Sequence, residues 1–405
     1  MADSFSKDKI KVLLLEGIDK SAERFFQEQG YTNVKTLSHA PGPAELAELL
    51  KDVYILGIRS KTAITKEVLA RAKKLFTLGC FCIGTNQVDL EACKTHGIPV
   101  FNAPHANTRS VAELVIGLAV MLQRNIFPLS VFAHQGIWKK KSEGSYELRG
   151  KTLGIIGYGN IGSQVSVLAE SFGMRVIFYD TKNVMPLGNA KACSSLKQLA
   201  KEADIITLHV PETPETENML DIEEMKEGSC LLNTSRGKVV DLHALSEALA
   251  KGKIKGAAID VFPDEPESEN TPFTSPLQGD PRVILTPHIG GSTQEAQKSI
   301  AKEVAQKLVY FSDRGSTQGA VNFPELSLMA QSGSHRVLHI HQNISGMLRQ
   351  INEKIAEKNI NILGQYLLTR EDIGYVVLDL ETKVTRELMR ELAGISGTIR
   401  TRLLY

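Results

Sequence analysis

Long apolar runs are missing from this chain. A membrane span takes about 18 consecutive apolar residues, and the best stretch here, residues 111–122, is broken by Glu113 and Gly117. Charge of one sign is missing too: 47 Lys and Arg face 46 Asp and Glu, a net charge of +1. That balance excludes a field drawing the whole protein to nucleic acid or an acidic membrane. The first residues lack the basic-then-apolar layout of a secretory signal. Cysteine is sparse, five in 405 residues, and an odd, scattered set suits a reducing compartment better than a disulfide framework. Cys80 and Cys82 form a C-x-C with no second pair or His cluster nearby, so no metal is expected. The one tryptophan, Trp138, reads as a packing or subunit-contact residue rather than a catalytic one. These absences point to a soluble, cytoplasmic protein.

What is present is ordinary globular stock, 42% hydrophobic and 23% charged. Single hydrophobic cores stop growing at roughly 250–300 residues, so a chain of 405 is expected to hold two or three domains. In the first hundred residues, short apolar runs at 10–15, 34–37, 54–58, 75–82 and 99–101 alternate with amphipathic stretches at 21–29, 44–50, 66–73 and 90–96. This is the pattern of βα units on a parallel sheet. Ser110 with Glu113, and Ser292 with Glu295, have the spacing of capping boxes opening two long helices. Between them a second alternating block places strands at 151–156, 175–179, 204–209, 230–233, 256–260 and 282–285. After a loop at 313–319 and a polar linker at 331–335, the tail reads strand, helix, strand, strand, helix, strand. That order predicts a ferredoxin-like α+β sandwich.

The strongest chemical signal is the glycine series Gly157, Gly159 and Gly162, which has G-x-G-x-x-G spacing after a predicted strand and at the start of a predicted helix. This is the context of a Rossmann-type dinucleotide site: a tight turn, room for the pyrophosphate, and close helix–strand packing. The helix N-terminus offers free N–H groups to the phosphates. Asp180, at the end of the next predicted strand, suits the adenosine ribose hydroxyls and repels a 2′-phosphate, which favours NAD.

Three polar residues stand where later strands end: Arg236, Glu265 and His288. Ligands of open α/β sheets bind beyond the carboxyl ends of strands. Hydride exchange between a nicotinamide and a 2-hydroxy acid needs a base for the hydroxyl proton, usually His. It also needs a cation on the carboxylate, where Arg is best, and a carboxylate beside the His would orient it. Spacing alone leaves His288 open between this role and that of a structural or solvated loop residue. Arg59 and Lys61 are expected to share one face of a strand end and to supply cations for a phosphate.

The chain resembles the D-2-hydroxyacid dehydrogenase family from end to end, in its bacterial phosphoglycerate dehydrogenase branch with a C-terminal ACT domain. The resemblance is carried by residues 79–89, 107–117, 154–162, 233–237, 257–266 and 285–296. It implies catalytic roles for Arg236, Glu265 and His288. It implies cofactor contacts at Asn160, Ile161, Asp180, Thr234, Ser235, Arg236, Asp260, His288, Ile289, Gly290 and Gly291. The implied architecture is a doubly wound NAD-binding domain at 107–295, a discontinuous flavodoxin-like substrate domain at 1–106 and 296–330, and an ACT domain at 335–405.

The implied reaction is NAD-dependent oxidation of 3-phospho-D-glycerate to 3-phosphohydroxypyruvate, opening serine biosynthesis. Its substrate phosphate would lie on Arg59, Ser60 and Lys61; the family usually has a second arginine where Lys61 stands. L-Serine would inhibit by binding His341, Asn343 and Asn361, with Ser345 replacing a usual proline, in a homotetramer. A dehydrogenase for glycerate or lactate, or an NAD-sensing binding protein, remains the alternative.

Overall fold

A computed structural model describes residues 6–140, 142–266, 271–330, 335–381 and 384–404. The chain divides into two compact units, Met1–Ala106 with Gln297–Tyr405, and Asn107–Ala296.

In the first unit, β1 (Val12–Leu14), β2 (Val34–Thr36), β3 (Ile55–Ile58), β4 (Thr77–Cys80) and β5 (Val100–Phe101) form one parallel sheet in the order β2-β1-β3-β4-β5. This is the flavodoxin-like order. Successive side chains along β1 serve opposite faces: Val12 and Leu14 enter one core with Phe26 and Phe311, while Leu13 enters another with Leu56 and Leu78. Burial on both faces is why β1, β3 and β4 read as apolar runs, whereas the edge strand β2 is mostly exposed. The helix Gln294–Arg314 brings Ile300, Val304, Leu308 and Phe311 to the first of these cores.

The second unit holds β6 (Thr152–Ile156), β7 (Arg175–Tyr179), β8 (Lys191–Ala192), β9 (Ile205–Leu208), β10 (Ser229–Asn233), β11 (Ile254–Ile259) and β12 (Val283–Leu285). They form a parallel sheet ordered β12-β11-β10-β9-β6-β7-β8. The chain winds outward from β6 to β8, then returns to place β9 on the other side of β6. The crevice between β6 and β9 is therefore the switch point where a doubly wound sheet takes its nucleotide.

The tail folds as β13 (His335–Gln342), β14 (Ile362–Arg370), β15 (Ile373–Leu380) and β16 (Thr398–Leu404), an antiparallel sheet ordered β14-β15-β13-β16. The helices Met347–Ala356 and Arg386–Ala393 bury Ile351, Ile355, Leu388 and Leu392 with Val376 and Leu378 of that sheet. Residues 331–334 of the expected linker lie outside the described residues; His335 already belongs to β13.

Both expected capping boxes are displaced. The helix Thr108–Gln123 has Asn107 at its N-cap, and Ser110 lies inside it with its hydroxyl 2.7 Å from Thr293 Oγ1. Glu113 pairs with Arg109 at 2.6 Å instead of reaching back to a cap. At the second helix Thr293, not Ser292, accepts the N–H of Ala296. Asn107, three residues before Ser110, and Thr293, one after Ser292, hold these helix starts instead. No single helix among the described residues is long and apolar enough to cross a membrane.

Candidate active site

The nucleotide seat is built where β6 ends. Gly157 turns at φ +88°, and a Cβ there would fall 2.5 Å from the carbonyl oxygen of His209. Its N–H donates to the Tyr179 carbonyl at 2.9 Å, fastening the turn to β7. Gly159 caps the helix Asn160–Ser171 at φ −79°, ψ −151°, and a Cβ there would meet nothing within 4 Å. The open space over this helix N-terminus is what a pyrophosphate needs. Gly162 is buried, and a Cβ there would fall 2.2 Å from the Gly157 carbonyl oxygen, so the helix could not lie so close with any other residue. Asn160 and Ile161 form the first turn.

Asp180 follows β7. Its carboxylate accepts the N–H of Tyr158 at 2.7 Å and that of Lys182 at 2.9 Å, which fixes it at the edge of the seat. Across the switch point, Thr234 and Ser235 are nearly buried after β10, and Thr234 Oγ1 has no partner. A buried hydroxyl without a partner is costly, and one beside an open nucleotide seat suits a ligand polar group. These residues fit a dinucleotide.

Asn233, which sequence reasoning did not single out, shapes the next loop. Its Oδ1 accepts Ser235 N–H and Oγ–H at 3.1 and 2.9 Å, while its Nδ2 donates to the Arg236 carbonyl at 2.9 Å. Arg236 Nη1 in turn donates to the Ser235 carbonyl at 2.7 Å.

The loop after β12 hangs on one carboxylate. Asp260, 1% exposed, accepts the Thr286 hydroxyl at 2.6 Å and the N–H groups of Ile289 and Gly290 at 2.9 Å each. The N–H of His288 donates to the Asp260 carbonyl at 2.8 Å. A Cβ on Gly290 would lie 3.0 Å from Asp260 Oδ2, and one on Gly291 2.4 Å from Asn107 Nδ2, so both glycines serve close packing. These bonds hold His288 at φ +52°, a left-handed conformation that costs a non-glycine residue about 1–3 kcal/mol.

In that pose His288 Nδ1 lies 2.8 Å from Glu265 Oε2, while Glu265 Oε1 accepts the Phe262 N–H at 3.2 Å. The hydrogen bond to Glu265 raises the His288 pKa above the ordinary imidazole value; partial burial opposes this and the carboxylate's charge reinforces it. Burial pushes the Glu265 carboxyl upward, but the bond from His288, its charge, the Phe262 N–H and the nearby Arg236 hold it below its ordinary value. Glu265, His288 and Arg236 thus sit within electrostatic reach of one another. With Nδ1 bonded to a carboxylate, Nε2 is the ring atom left to exchange a proton. His209, at the end of β9, was also unforeseen: burial pushes its pKa down to about 3, which makes it a neutral group of the crevice.

The expected phosphate residues lie in the first unit. β3 ends at Ile58, so Arg59, Ser60 and Lys61 belong to the following loop, and the reasoning from a shared strand face does not hold. The loop is shaped instead by Glu16, 8% exposed. The Glu16 carboxylate accepts the N–H groups of Arg59, Lys61 and Thr62 at 3.0, 2.9 and 3.0 Å. No local pattern announces this contact, which spans more than forty residues of sequence.

In the tail, His341 is 3% exposed; its Nδ1 lies 2.8 Å from the Gln342 carbonyl, and its Nε2 is buried without a partner. Asn343 donates its side-chain amide to the Glu371 carbonyl at 3.0 Å. Asn361 is not brought to them. In the sheet register Gln342 faces Ile373, whereas Ile362 faces Leu380, which separates the two ends by about 24 Å at about 3.4 Å per residue. One module alone therefore does not assemble His341, Asn343 and Asn361.

Comparison with known proteins gives the family of this chain. Residues 116–290 match the model of the D-isomer specific 2-hydroxyacid dehydrogenase NAD-binding domain, and residues 337–400 match an AHAS small subunit-like ACT domain. The chain is 53% identical to a D-3-phosphoglycerate dehydrogenase from Haemophilus influenzae over 99% of both chains. It is 52% identical to one from Escherichia coli K12, again over 99% of both. A solved D-lactate dehydrogenase from Aquifex aeolicus, complexed with NAD and lactic acid, superposes with a TM-score of 0.63 at 30% identity, over 74% of this chain and 95% of that one. The chain belongs to the D-3-phosphoglycerate dehydrogenases, NAD-dependent members of the D-isomer specific 2-hydroxyacid dehydrogenase family that end in an ACT module.

Proposed function

We propose that this chain oxidises 3-phospho-D-glycerate to 3-phosphohydroxypyruvate by an imidazole–carboxylate pair assisted by one guanidinium. The observation that carries the mechanism is the 2.8 Å contact between His288 Nδ1 and Glu265 Oε2. Glu265 fixes the ring and stabilises its charged form, so Nε2 accepts the substrate hydroxyl proton while the carbon–hydrogen bond breaks. NAD supplies the hydride acceptor. Arg236 holds the substrate carboxylate and the developing carbonyl, where a planar fork with several N–H donors is suited. Gly157, Gly159, Asn160, Ile161 and Gly162 carry the pyrophosphate, and Asp180 the adenosine ribose. Thr234 and Ser235 line the nicotinamide side. Ile289, Gly290 and Gly291 complete the seat, with Asp260 as the residue that positions them. Arg59, Ser60 and Lys61 take the phosphate.

The ACT module takes L-serine at His341 and Asn343 of one chain and Asn361 of a second, because these groups stand apart within a single chain. Association is supported further by Trp138, 86% exposed, beside a helix, Ile126–His134, whose Ile126, Phe127 and Val131 are each 40% exposed. Packing within the chain does not bury this tryptophan, which supports a subunit-contact role in the homotetramer that the family resemblance implies. Five free thiols suit a cytoplasmic setting.

The test is NADH oxidation with 3-phosphohydroxypyruvate, with and without L-serine, against a panel of hydroxypyruvate and pyruvate. Turnover of the phosphorylated acid that serine suppresses is the expected result. Equal turnover of the unphosphorylated acids would overturn the substrate assignment.

A further inference from the structure

The turn joining β14 to β15 is gripped from two sides. From within its own module, Asn343 donates its side-chain amide to the Glu371 carbonyl at 3.0 Å and its backbone N–H to the Asp372 carbonyl at 2.8 Å. From outside the module comes Lys94, on the helix Leu90–Thr95, with its side chain only 9% exposed. Its ammonium lies 2.8 Å from Asp372 Oδ1, 3.3 Å from Glu371 Oε2, and 2.7 Å from Glu91 Oε2 on its own helix. Beside it, Arg370 Nη1 donates to the Val321 carbonyl at 2.9 Å.

The helix that carries Lys94 is tied in turn to the loop of Arg59. Asp89, its N-cap, donates its N–H to the Ile64 carbonyl at 2.9 Å, and Ile64 donates to the Gln87 carbonyl at 2.8 Å. Gln87 Nε2 then donates to the Arg59 carbonyl at 2.6 Å. A continuous chain of polar contacts therefore runs from Asn343 through the Glu371–Asp372 turn, Lys94 and the 87–89 segment to Arg59, all within one compact unit.

We infer that Lys94 is a transmission residue: it couples occupancy of the effector loop at Asn343 to the setting of the phosphate loop at Arg59. This rests on the reading of Asn343 as an effector contact. An effector carboxylate that turns the Asn343 side chain toward itself draws that amide away from the Glu371 carbonyl. Once that bond is lost, the turn keeps the Asn343 backbone N–H bond and its ion pairs to Lys94, so any displacement of the turn pulls on Lys94. Exposed ion pairs are individually weak, but a nearly buried ammonium that loses two of three carboxylates is left poorly compensated. Its helix must shift with the turn, and Gln87 hands that shift to the backbone of Arg59. Coupling of this kind requires a physical element that both sites bias, and the Leu90–Thr95 helix is that element.

The experiment uses the full-length enzyme and two readouts, calorimetric binding of L-serine and the rate of NADH oxidation with 3-phosphohydroxypyruvate. In Lys94→Met, serine should bind as tightly as in the unaltered protein or more tightly, since binding no longer strains the clamp. Serine that slows the unaltered enzyme ~5-fold or more should slow this variant less than ~2-fold. Lys94→Arg should keep the inhibition. If Lys94→Met does not fold, the double change Glu371→Gln with Asp372→Asn cuts the clamp from its other face and should uncouple in the same way. Full inhibition in either folded variant overturns the proposal. So does loss of serine binding in them, which would make Lys94 part of the binding site. Failure of the unaltered enzyme to bind serine is a separate outcome, visible before any variant is made; it removes the effector reading and this inference with it.

Discussion

Replacing Gly159 by alanine separates the nucleotide seat from the stability of the fold. At φ −79° the backbone of Gly159 already lies where an alanine is comfortable, and the added methyl would meet nothing within 4 Å. The protein without cofactor should therefore melt as before. The methyl stands over the helix N-terminus, however, where a pyrophosphate must come within hydrogen-bonding distance. Forcing an extra methyl into a well-packed contact costs about 1–3 kcal/mol, so NADH affinity should fall by roughly 5- to 150-fold.

Gly157→Ala is the contrasting case. Its φ of +88° and the 2.5 Å approach to the His209 carbonyl oxygen combine left-handed strain with overpacking, together about 2–5 kcal/mol. For a unit of this size that lowers Tm by about 4 °C or more, alongside the loss of cofactor. Fluorescence titration of NADH and thermal melts in its absence read both quantities. A Gly159→Ala protein that melts normally and binds NADH as tightly as the parent would refute the placement of the pyrophosphate.

Three further outcomes follow from the site. Glu265→Gln removes the partner that raises the His288 pKa. Reduction of 3-phosphohydroxypyruvate needs the charged ring, so its rate should decline at lower pH than in the parent; an unmoved alkaline limb in kcat/KM would contradict the pairing. Asp180→Ala should lower kcat/KM for NADH by about tenfold or more, the scale of lost bonds to a charged group, and should raise the relative use of NADPH. An unchanged ratio between the two cofactors would exclude Asp180 from the ribose. Arg59→Ala should raise KM for the phosphorylated substrate by about 10- to 100-fold, with a smaller change in kcat, and an unaltered KM would remove Arg59 from the site.

Much of the fold could be read before any coordinates. Strands buried on both faces announce themselves as apolar runs, and the observed β6 and β10, buried throughout, match the runs at 151–156 and 230–233 to within a residue. The helix Ile126–His134 escaped notice because it buries nothing and carries a proline, so it has no amphipathic stripe to detect. The capping serines misled by one to three positions because Ser, Thr and Asn all serve as caps, and only packing decides among neighbours.

The site divides along similar lines. Gly157, Gly159 and Gly162 are legible from spacing because each meets a steric demand of one local motif. Arg236, Glu265 and His288 stand out as polar residues at strand ends, but their mutual approach is a tertiary fact. Glu16 and Asn233 left no trace in the sequence. Their side chains fasten backbone amides of loops, a task that any buried acceptor in the right place performs and that no periodicity records.

On the proposed serine site, the separation of Asn361 from Asn343 along the tail sheet would make each polypeptide the bearer of two unlike halves of a receptor. Pairing about a two-fold axis would join them into two wholes, so damage to either half should be repairable by a partner carrying the opposite lesion. A mixture of Asn343→Ala and Asn361→Ala chains, each deaf to serine alone, should regain one intact receptor in every mixed pair.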